Sequence, residues 1–530
     1  MIEVPMLSVI LFLPLLGAVG AVLLPRRAGW GWALATALAD LGCCIWLVTQ
    51  FNASATGFQF SEHYPWLPDL GINYALGVNG INLFLVGLNA LLTVVAVGAS
   101  WRVARDGARS REYFALMLLL SMGMQGVFLA TNLFLFYVFW ELMLVPAYLL
   151  VGIYGGPRRA YAAIKFVIYT SVGSLLMLIG IIAVGAVVST NSHTAYTLDL
   201  SALLGQGVPG SAQVLLFLAF AAAFAVKVGL FPFHSWVPDA YREAPVPVVV
   251  LVAGVMAKTG AYGFVQFCLP LFPQASHQLA GLMEVLAVIG VLYFALEALV
   301  AQDVKQLLAY VSISHLGVIV LGIFALNVQG LEGGVLQMVN HGVIIAALFL
   351  IAGAFEERVG TRRLADFGGL AVRLPWLATV FLIVALAALG LPGLNSFAGE
   401  FLAFLGAFHA NYAIGALGTL VVIPAAWYML RFFQGMTEGP EPEGGPVAAA
   451  LAPVARAAKG VALVDLRWGE LLVLLPLLAL IFYLGIFPGM VTLRMEQSVS
   501  TLPPITTPAA PTGAPVEFIG GGPTTLIQSR

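Results

Sequence analysis

The chain has 530 residues, of which 61% are hydrophobic and only 9% are charged. This composition excludes a protein with an ordinary water-exposed surface, and a formal net charge of −2 leaves no basic excess for a nucleic-acid partner. The sequence therefore predicts an integral membrane protein in contact with the lipid bilayer.

Apolar runs recur along nearly the whole chain, and each is long enough to cross a hydrocarbon layer of about 30 Å as a helix. Barrel strands would instead be about 10 residues long and only weakly apolar. We predict an all-α polytopic membrane protein with about fourteen transmembrane helices. Their centres lie near residues 15, 40, 90, 120, 141, 175, 222, 257, 288, 317, 344, 390, 422 and 479.

The charges that flank these runs predict the topology. The first run follows the acidic Glu3 and precedes Arg26 and Arg27, the reverse of a cleaved signal peptide, so we expect a retained helix. If the loop after it is cytoplasmic, most lysines and arginines fall in cytoplasmic loops, and only Arg494 and Arg530 fall outside. Both termini are therefore expected outside.

Ionisable residues inside the apolar runs are the main functional signal, because each is costly at membrane depth unless it is paired or hydrated. Packing alone would favour apolar side chains at these positions. We therefore interpret the set as functional. In chain order its members are Glu141, Lys227, Lys258, His315, His341 and Glu400.

Two of the predicted helices contain similar breaks. The segments "GLFPFHSW" at 229–236 and "GLPGLNSF" at 390–397 share Gly-Leu, a nearby proline, then serine and an aromatic residue. Proline and glycine interrupt the backbone hydrogen bonding of a helix, and paired interruptions in two halves are typical of transporters built from repeats. We predict that helices 7 and 12 are discontinuous and that each break admits water beside a buried charge.

The chain offers little for cofactor binding. Cys43, Cys44 and Cys268 have no metal-ligand spacing, and neither a GxGxxG nor a P-loop sequence follows a strand-like run. We expect it to bind no metal, nucleotide or flavin by itself.

The ionisable set predicts a proton path. Burial lowers the pKa of a lysine and raises that of a carboxylic acid, whereas a nearby opposite charge counteracts both shifts. Lys227 is therefore expected to keep its proton while Glu141 is near and to release it toward Lys258 and the histidines when the carboxylate moves away. Because moving a proton against a membrane potential costs about 2.3 kcal/mol per 100 mV, a driving partner is implied.

Several motifs together resemble the antiporter-like subunits of respiratory complex I. They span about residues 75–435 and read "WELMLVPAYLL", "KVGLFPFHSWVPDAYREAP", "AKTGAYG", "YVSISHLG", "NHG" and "LPGLNSFAGEF". Within this family the chain is most similar to the NuoM type, whose last charged position is a glutamate, as at Glu400. The NuoL and NuoN types and the Mrp antiporter subunits usually have lysine there. Tyr241 departs from the pattern, since many members have histidine.

The resemblance implies a division of the chain. Helices 1–3 would occupy residues 1–110, and two inverted five-helix repeats would follow as helices 4–8 in 111–270 and helices 9–13 in 271–435. Helix 14 would occupy residues 467–495. Composition, and not the resemblance, predicts that the Gly/Pro/Ala-rich residues 436–466 form a cytoplasmic connection and that residues 496–530 form a disordered tail.

The resemblance also assigns roles. Glu141 and Lys227 would form the coupling pair and Lys258 the central proton-transfer group, with His315, His341 and Glu400 as the downstream relay. His234 and Lys165 match frequent polar positions of the family and are secondary candidates. Flavin mononucleotide, iron–sulfur clusters and quinone would belong to partner subunits, and NuoL-like and NuoN-like subunits would be neighbours in a bacterial plasma membrane or a photosynthetic one.

Three other functions stay open from the sequence. These are a subunit of a Mrp-type sodium/proton antiporter, which Glu400 disfavours, a membrane subunit of a proton-pumping hydrogenase, and a structural membrane scaffold. A scaffold should keep full proton pumping when Glu141 is replaced by glutamine, whereas a proton path should lose it.

Overall fold

The computed structural model describes residues 5–107, 109–439 and 464–502, and almost all of these residues lie in helices. Within this part of the chain, 12 helices are long and apolar enough to cross a membrane. Two shorter apolar helices, Leu83–Ala99 and Pro375–Ala388, occupy the places of predicted helices 3 and 12. The membrane-spanning, mostly helical fold is confirmed, while the count of fourteen, the side of the termini and the division into two repeats stay predictions.

The N-terminal part contains four helices and a β-hairpin. Its elements are α1 (Met6–Leu23), α2 (Arg26–Gln50), β1 (Gln59–Leu67), β2 (Ile72–Val78), α3 (Leu83–Ala99) and α4 (Trp101–Asp106).

The next part corresponds to the predicted first repeat. It contains α5 (Ser110–Leu129), α6 (Leu133–Tyr154), α7 (Arg159–Ser192), α8 (Leu200–Gln206), α9 (Gly210–Val228), α10 (Trp236–Glu243) and α11 (Val246–Leu271).

The following part corresponds to the predicted second repeat. It contains α12 (Pro273–Val300), α13 (Val304–Phe324), α14 (Val328–Val359), α15 (Leu370–Arg373), α16 (Pro375–Ala388), α17 (Asn395–Ala410), α18 (Tyr412–Thr419) and α19 (Val422–Thr437).

The last described helices are α20 (Trp468–Ile486) and α21 (Gly489–Ser500). Helix α21 corrects the predicted tail, because residues 496–500 are helical. Met495 and Val499 are fully buried, and the backbone N–H of Gly80 donates to Ser498 Oγ at 2.9 Å, so α21 is fixed to the start of α3. The rest of the tail, from 503, and residues 440–463 of the predicted connection lie outside the described residues.

The β-hairpin is the main addition to the predicted all-α fold. Strands β1 and β2 pair antiparallel, and Glu62 of β1 accepts a hydrogen bond from the backbone N–H of Leu7 at 2.8 Å. A carboxylate at this position offsets the positive end of a helix dipole and satisfies an otherwise unpaired N–H group. The hairpin therefore caps α1 at the end of the bundle that the charge pattern places outside.

Both predicted helix breaks are present. Helix α9 ends at Val228, a turn containing Phe231, Pro232 and His234 follows, and α10 begins at Trp236. In the second half, α16 ends at Ala388 and α17 begins at Asn395. Helices 7 and 12 are therefore discontinuous, as predicted.

The opposite end of the bundle carries a network of ion pairs. Asp303, only 7% exposed, caps α13 and lies 3.2 Å from Arg242 and 3.6 Å from Arg362, while Arg358 binds Glu470 at 2.6 Å. Because these charges come from segments far apart in sequence, the network ties the ends of α10, α13, α14 and α20 together. At the centre of the bundle, α11, α13 and α14 are the most completely buried spans among the described helices.

Candidate functional site

Lys258 lies at the centre of the molecule, on α11, and its side chain is fully buried. Two π turns, Val252–Met256 and Phe264–Cys268, flank the stretch of α-helix that carries it. Such turns are rare, occur mostly as single insertions in α-helices, and are frequent at functional sites. The Nζ atom of Lys258 donates to the carbonyl oxygen of Ala253, which lies in the first π turn. The distorted helix thus supplies one hydrogen bond to a buried ammonium group.

Lys227 lies in the last turn of α9, directly before the break. Gly229 has φ +75°, the left-handed conformation that ends helices and that glycine adopts without strain. The carbonyl of Val226 accepts hydrogen bonds from the backbone N–H of Gly229 at 3.2 Å and from Trp236 Nε1 at 2.9 Å. A cation in the last turn is also favoured by the helix dipole. The break therefore creates a defined position for a buried lysine.

Glu141 and Lys227 are not joined by a hydrogen bond. Glu141 Oε1 and Lys227 Nζ, both buried, have no hydrogen-bond partner among the described residues, although the charge of Glu141 acts on Lys227. The ammonium group lies 4.8 Å from the centre of the Trp140 ring and 6.0 Å from that of Phe166. Aromatic rings attract a cation through their negative faces. The lysine is therefore held by aromatic rings and not by its carboxylate.

Glycine contacts bring the lysine-bearing helices together. A Cβ atom at Gly260 of α11 would lie 2.7 Å from the carbonyl oxygen of Phe224 and 3.2 Å from Cβ of Lys227. Because only glycine permits so close an approach, α11 packs directly on α9. Gly260 therefore fixes the helix that carries Lys258 against α9, while Lys258, two residues earlier, lies on a different face of α11.

A second glycine pair joins α11 to α14. A Cβ atom at Gly342 would lie 2.8 Å from the carbonyl oxygen of Gly254, one turn before Lys258. His341, next to Gly342, is 2% exposed, and neither ring nitrogen has a hydrogen-bond partner among the described residues. The charge of Lys258 acts on this imidazole. The central lysine and the first histidine of the predicted relay are therefore neighbours.

The second half of the molecule contains a hydrogen-bonded pair of a base and an acid, His315 and Glu400, which we call the closed pair. The rings of His341 and His315 stack with centres 5.5 Å apart and planes inclined by 13°. His315 Nδ1 lies 2.9 Å from Glu400 Oε1. The same oxygen accepts hydrogen bonds from Ser396 Oγ at 2.9 Å and from Gln337 Nε2 at 3.0 Å. Glu400 is thus held by three polar groups.

The break in the second half leaves room for this carboxylate. Gly390 has φ +69°, and a Cβ atom there would lie 2.8 Å from Glu400 Oε2. A cavity of about 20 Å³ lies beside Glu400, and His315 and Tyr428 are among its lining residues. This volume is enough for one water molecule. The structure thus agrees with the expectation that a titratable group beside the break is accessible to water.

The two secondary candidates lie away from this row. Lys165 on α7 binds Asp239 of α10 at 2.7 Å, as an ion pair. His234 lies in the turn after α9, with its ring centre 4.6 Å from that of Phe294. Because α9 ends at Val228, His234 does not continue the helix face that carries Lys227. The structure therefore brings together two groups on packed helices and leaves Lys165 and His234 outside both. The first group is Glu141 and Lys227, and the second is Lys258, His341, His315 and Glu400.

Sequence reasoning missed three residues of the site. Trp140 directly precedes Glu141 in the sequence, but nothing in the sequence shows that its ring faces Lys227. Ser396 precedes Glu400 by four residues and Gln337 precedes His341 by four, so helical spacing alone could have suggested both.

Comparison with known proteins adds an independent observation. The family model described as "NADH:quinone oxidoreductase/Mrp antiporter, TM" matches residues 130–423, more than half of the chain. The chain belongs to this family.

Two curated members of the family are similar over nearly their whole length. The NADH-quinone oxidoreductase subunit M of Rhodobacter capsulatus is 36% identical over 511 residues, which cover 94% of this chain and 96% of that protein. The subunit M of Mycobacterium tuberculosis H37Rv is 37% identical over 543 residues, with 94% and 95% covered.

Solved structures share the fold. A chain of respiratory complex I from Thermus thermophilus, determined with bound NADH, has a TM-score of 0.81 and 33% identity, covering 93% of this chain and 99% of that one. A chain of the Mrp complex from Dietzia has a TM-score of 0.80 at 22% identity, covering 94% and 97%. The second likeness shows the fold alone.

Proposed function

We propose that the chain is a proton-translocating membrane subunit of an NADH:quinone oxidoreductase, which moves protons from the cytoplasm to the outside. The observation that carries this proposal is the row of buried ionisable side chains. It begins at Glu141 on α6, passes through Lys227, Lys258, His341 and His315, and ends at Glu400 on α17. It touches both helix breaks, where backbone groups and water can receive or supply protons.

The first half of the row works as a switch. With Glu141 close, the carboxylate stabilises the charged form of Lys227, and with Glu141 withdrawn the buried ammonium loses that stabilisation and releases its proton. The rings of Trp140 and Phe166 hold the side chain in place in either state. The Lys258 amine, on the helix packed against α9, is the acceptor.

The second half of the row receives the proton. From Lys258 it passes to His341 and His315, because an imidazole can accept a proton on one ring nitrogen and donate one from the other. Glu400 is the last group, and the cavity between it and Tyr428 supplies the water through which the proton leaves. Ser396 and Gln337 hold the carboxylate toward His315 and do not carry the proton.

Energy for the cycle comes from partner subunits in this proposal. The relatives are named as subunits of NADH-quinone oxidoreductases, and one structural match belongs to respiratory complex I with bound NADH. We infer that flavin mononucleotide, iron–sulfur clusters and quinone are bound by other subunits, and that this chain contributes no redox centre. Its neighbours would be NuoL-like and NuoN-like subunits in a bacterial plasma membrane or a photosynthetic membrane.

Purification tests the assembly directly. The tagged chain, extracted in mild detergent, is expected to bring down flavin and iron–sulfur subunits with NADH:quinone activity. Copurification of small antiporter subunits without redox centres would instead establish a Mrp-type cation antiporter. The two outcomes are distinguished by flavin fluorescence and mass spectrometry of the same sample.

A further inference from the structure

A cavity of about 640 Å³ lies apart from the row, at the end of the bundle that the charge pattern places in the cytoplasm. It is formed by the ends of α12, α13 and α19 and by the segment after α14. Its walls are mainly apolar and include Leu299, Leu307 and Phe432, but two arginines, Arg363 and Arg431, also line it. An apolar cavity with two cationic groups is suited to an amphipathic anion.

These two arginines differ from those of the neighbouring ion-pair network. Arg358 and Arg362 each lie within 4 Å of a carboxylate, whereas no such ion pair involves Arg363 or Arg431 among the described residues. Arg431 Nη1 donates to the carbonyl oxygen of Leu299 at 3.0 Å, which fixes the guanidinium at the cavity wall. The lining residues include neither aspartate nor glutamate. The described residues that line the cavity therefore supply no carboxylate to compensate its positive charge.

Exposed apolar side chains near the cavity indicate that it faces the lipid bilayer. Val300, at the end of α12, is 71% exposed, and Trp427 on α19 is 63% exposed. Exposed apolar side chains on the outer face of a membrane-spanning bundle meet lipid acyl chains, and Arg363 follows directly after Arg362 of the ion-pair network at the same end of the bundle. The cavity thus lies where a lipid headgroup and its chains meet the protein.

We propose that this cavity binds an anionic phospholipid. Its phosphate would interact with Arg363 and Arg431, and an acyl chain would extend along Leu299 and Phe432. Guanidinium groups form strong charge-assisted hydrogen bonds to phosphate, and basic pockets between transmembrane helices on the cytoplasmic side are suited to anionic headgroups. This site is independent of the proposed proton path, so neither proposal depends on the other.

Tyr428 gives the site a physical link to the row. It lines the lipid cavity and also the small cavity beside His315 and Glu400. An acyl chain or headgroup in the larger cavity therefore packs against one side of the tyrosine whose other side faces the last proton group.

The test compares two double variants in the whole complex. Arg363→Gln/Arg431→Gln removes both cavity charges, and Arg26→Gln/Arg27→Gln removes two exposed arginines from the same predicted side, outside the cavity. Phospholipid retained after detergent washing is measured by mass spectrometry. The cavity variant is expected to bind anionic phospholipid about 30-fold more weakly, while the control retains the wild-type amount. Equal retention in both variants, or equal loss, would overturn the proposal.

A second variant covers the case in which the first fails to assemble. A Cβ atom at Gly435, which lines the cavity, meets nothing within 4 Å, so Gly435→Phe fills the space and keeps both arginines. It is expected to lose the same phospholipid, and retention would contradict the proposal.

Adding lipid or phosphate back to the delipidated complex distinguishes a phospholipid site from a site for inorganic phosphate. Delipidated wild-type complex is supplied with vesicles of anionic phospholipid, vesicles of zwitterionic phospholipid, or inorganic phosphate, and thermal stability is recorded. Only anionic vesicles are expected to restore it. Equal restoration by inorganic phosphate would show a simple phosphate site and overturn the lipid assignment.

Discussion

In the first half of the molecule, Glu141 on the continuous helix α6 and Lys227 on the broken helix make no hydrogen bond to each other. In the second half, His315 on the continuous helix α13 and Glu400 on the broken helix are joined at 2.9 Å. The base belongs to the broken helix in one half, and the acid belongs to it in the other. Each half thus pairs one acid with one base across a continuous and a broken helix. The continuous helix carries the acid in the first half and the base in the second.

The two acid–base pairs also differ in hydrogen bonding. Lys227 Nζ has no hydrogen-bond partner among the described residues, whereas Glu400 is bonded to His315, Ser396 and Gln337. The first pair is therefore open and the second pair is closed. We infer that a proton crosses the row when one pair opens as the other closes.

Glu141→Gln should have the largest effect. Removing the carboxylate leaves Lys227 without an anion, and no hydrogen bond replaces it, so NADH:quinone turnover of the complex is expected to fall by on the order of a hundredfold. The control is Glu112→Gln, the same substitution at an exposed position on α5, which should keep wild-type turnover. Wild-type turnover in Glu141→Gln would remove the first half from the proton path.

Glu400→Gln should reduce turnover less, by about tenfold. Glutamine keeps an oxygen that can accept hydrogen bonds from Ser396 and His315, whereas Lys227 has no hydrogen bond to replace the charge of Glu141. If this variant proved more damaging than Glu141→Gln, the comparison between an open and a closed pair would be reversed. Assembly of both complexes is checked by native electrophoresis.

Gly390→Ala tests the space around the closed pair. The new Cβ atom would lie 2.8 Å from Glu400 Oε2, whereas Gly393→Ala, at φ +92°, meets nothing within 4 Å. Both variants should lose about 1 kcal/mol of stability because both positions are left-handed. Only Gly390→Ala is expected to lose turnover, by several-fold. A similar loss in both would show that backbone strain, and not contact with the carboxylate, sets the effect.

Ser396→Ala should have the smallest effect, a loss of roughly threefold in turnover. It removes one of three polar contacts of Glu400 and leaves His315 and Gln337 in place. Ser174→Ala, a buried serine on α7 away from the row, serves as the control. No difference between the two variants would mean that Ser396 does not position the carboxylate.

Much of this site was predictable because burial of a charge is expensive. The six residues of the row stand out in the sequence as ionisable groups in apolar runs, and both breaks are marked by glycine and proline. Family resemblance implied the members of the relay, but not that His341 lies between Lys258 and His315. The glycine contacts at Gly260 and Gly342 show how the helices that carry these groups pack. These contacts depend on how helices distant in sequence pack, which no local pattern reveals.

Other features had no clear signal. The β-hairpin contains Pro65 and Gly71, and it is held by capping of α1 and by neighbouring loops rather than by strand propensity. The separation of His234 from the row follows from one residue, since Gly229 turns the chain and ends α9. Asp303 and Lys305 look like solvated residues at the cytoplasmic rim, yet both are buried because arginines from distant loops and Glu356 pair with them.

The most direct test of a continuous proton row replaces its central member. Lys258→Met keeps similar volume in a fully buried position and removes a charge that has no ionic partner within 4 Å in the described chain, so the complex should assemble. The measurement is the number of protons pumped per electron by the complex in sealed liposomes, with Thr259→Val as the neighbouring control. We predict a clear loss of pumping in Lys258→Met and none in the control. A wild-type proton-to-electron ratio in Lys258→Met would contradict the account.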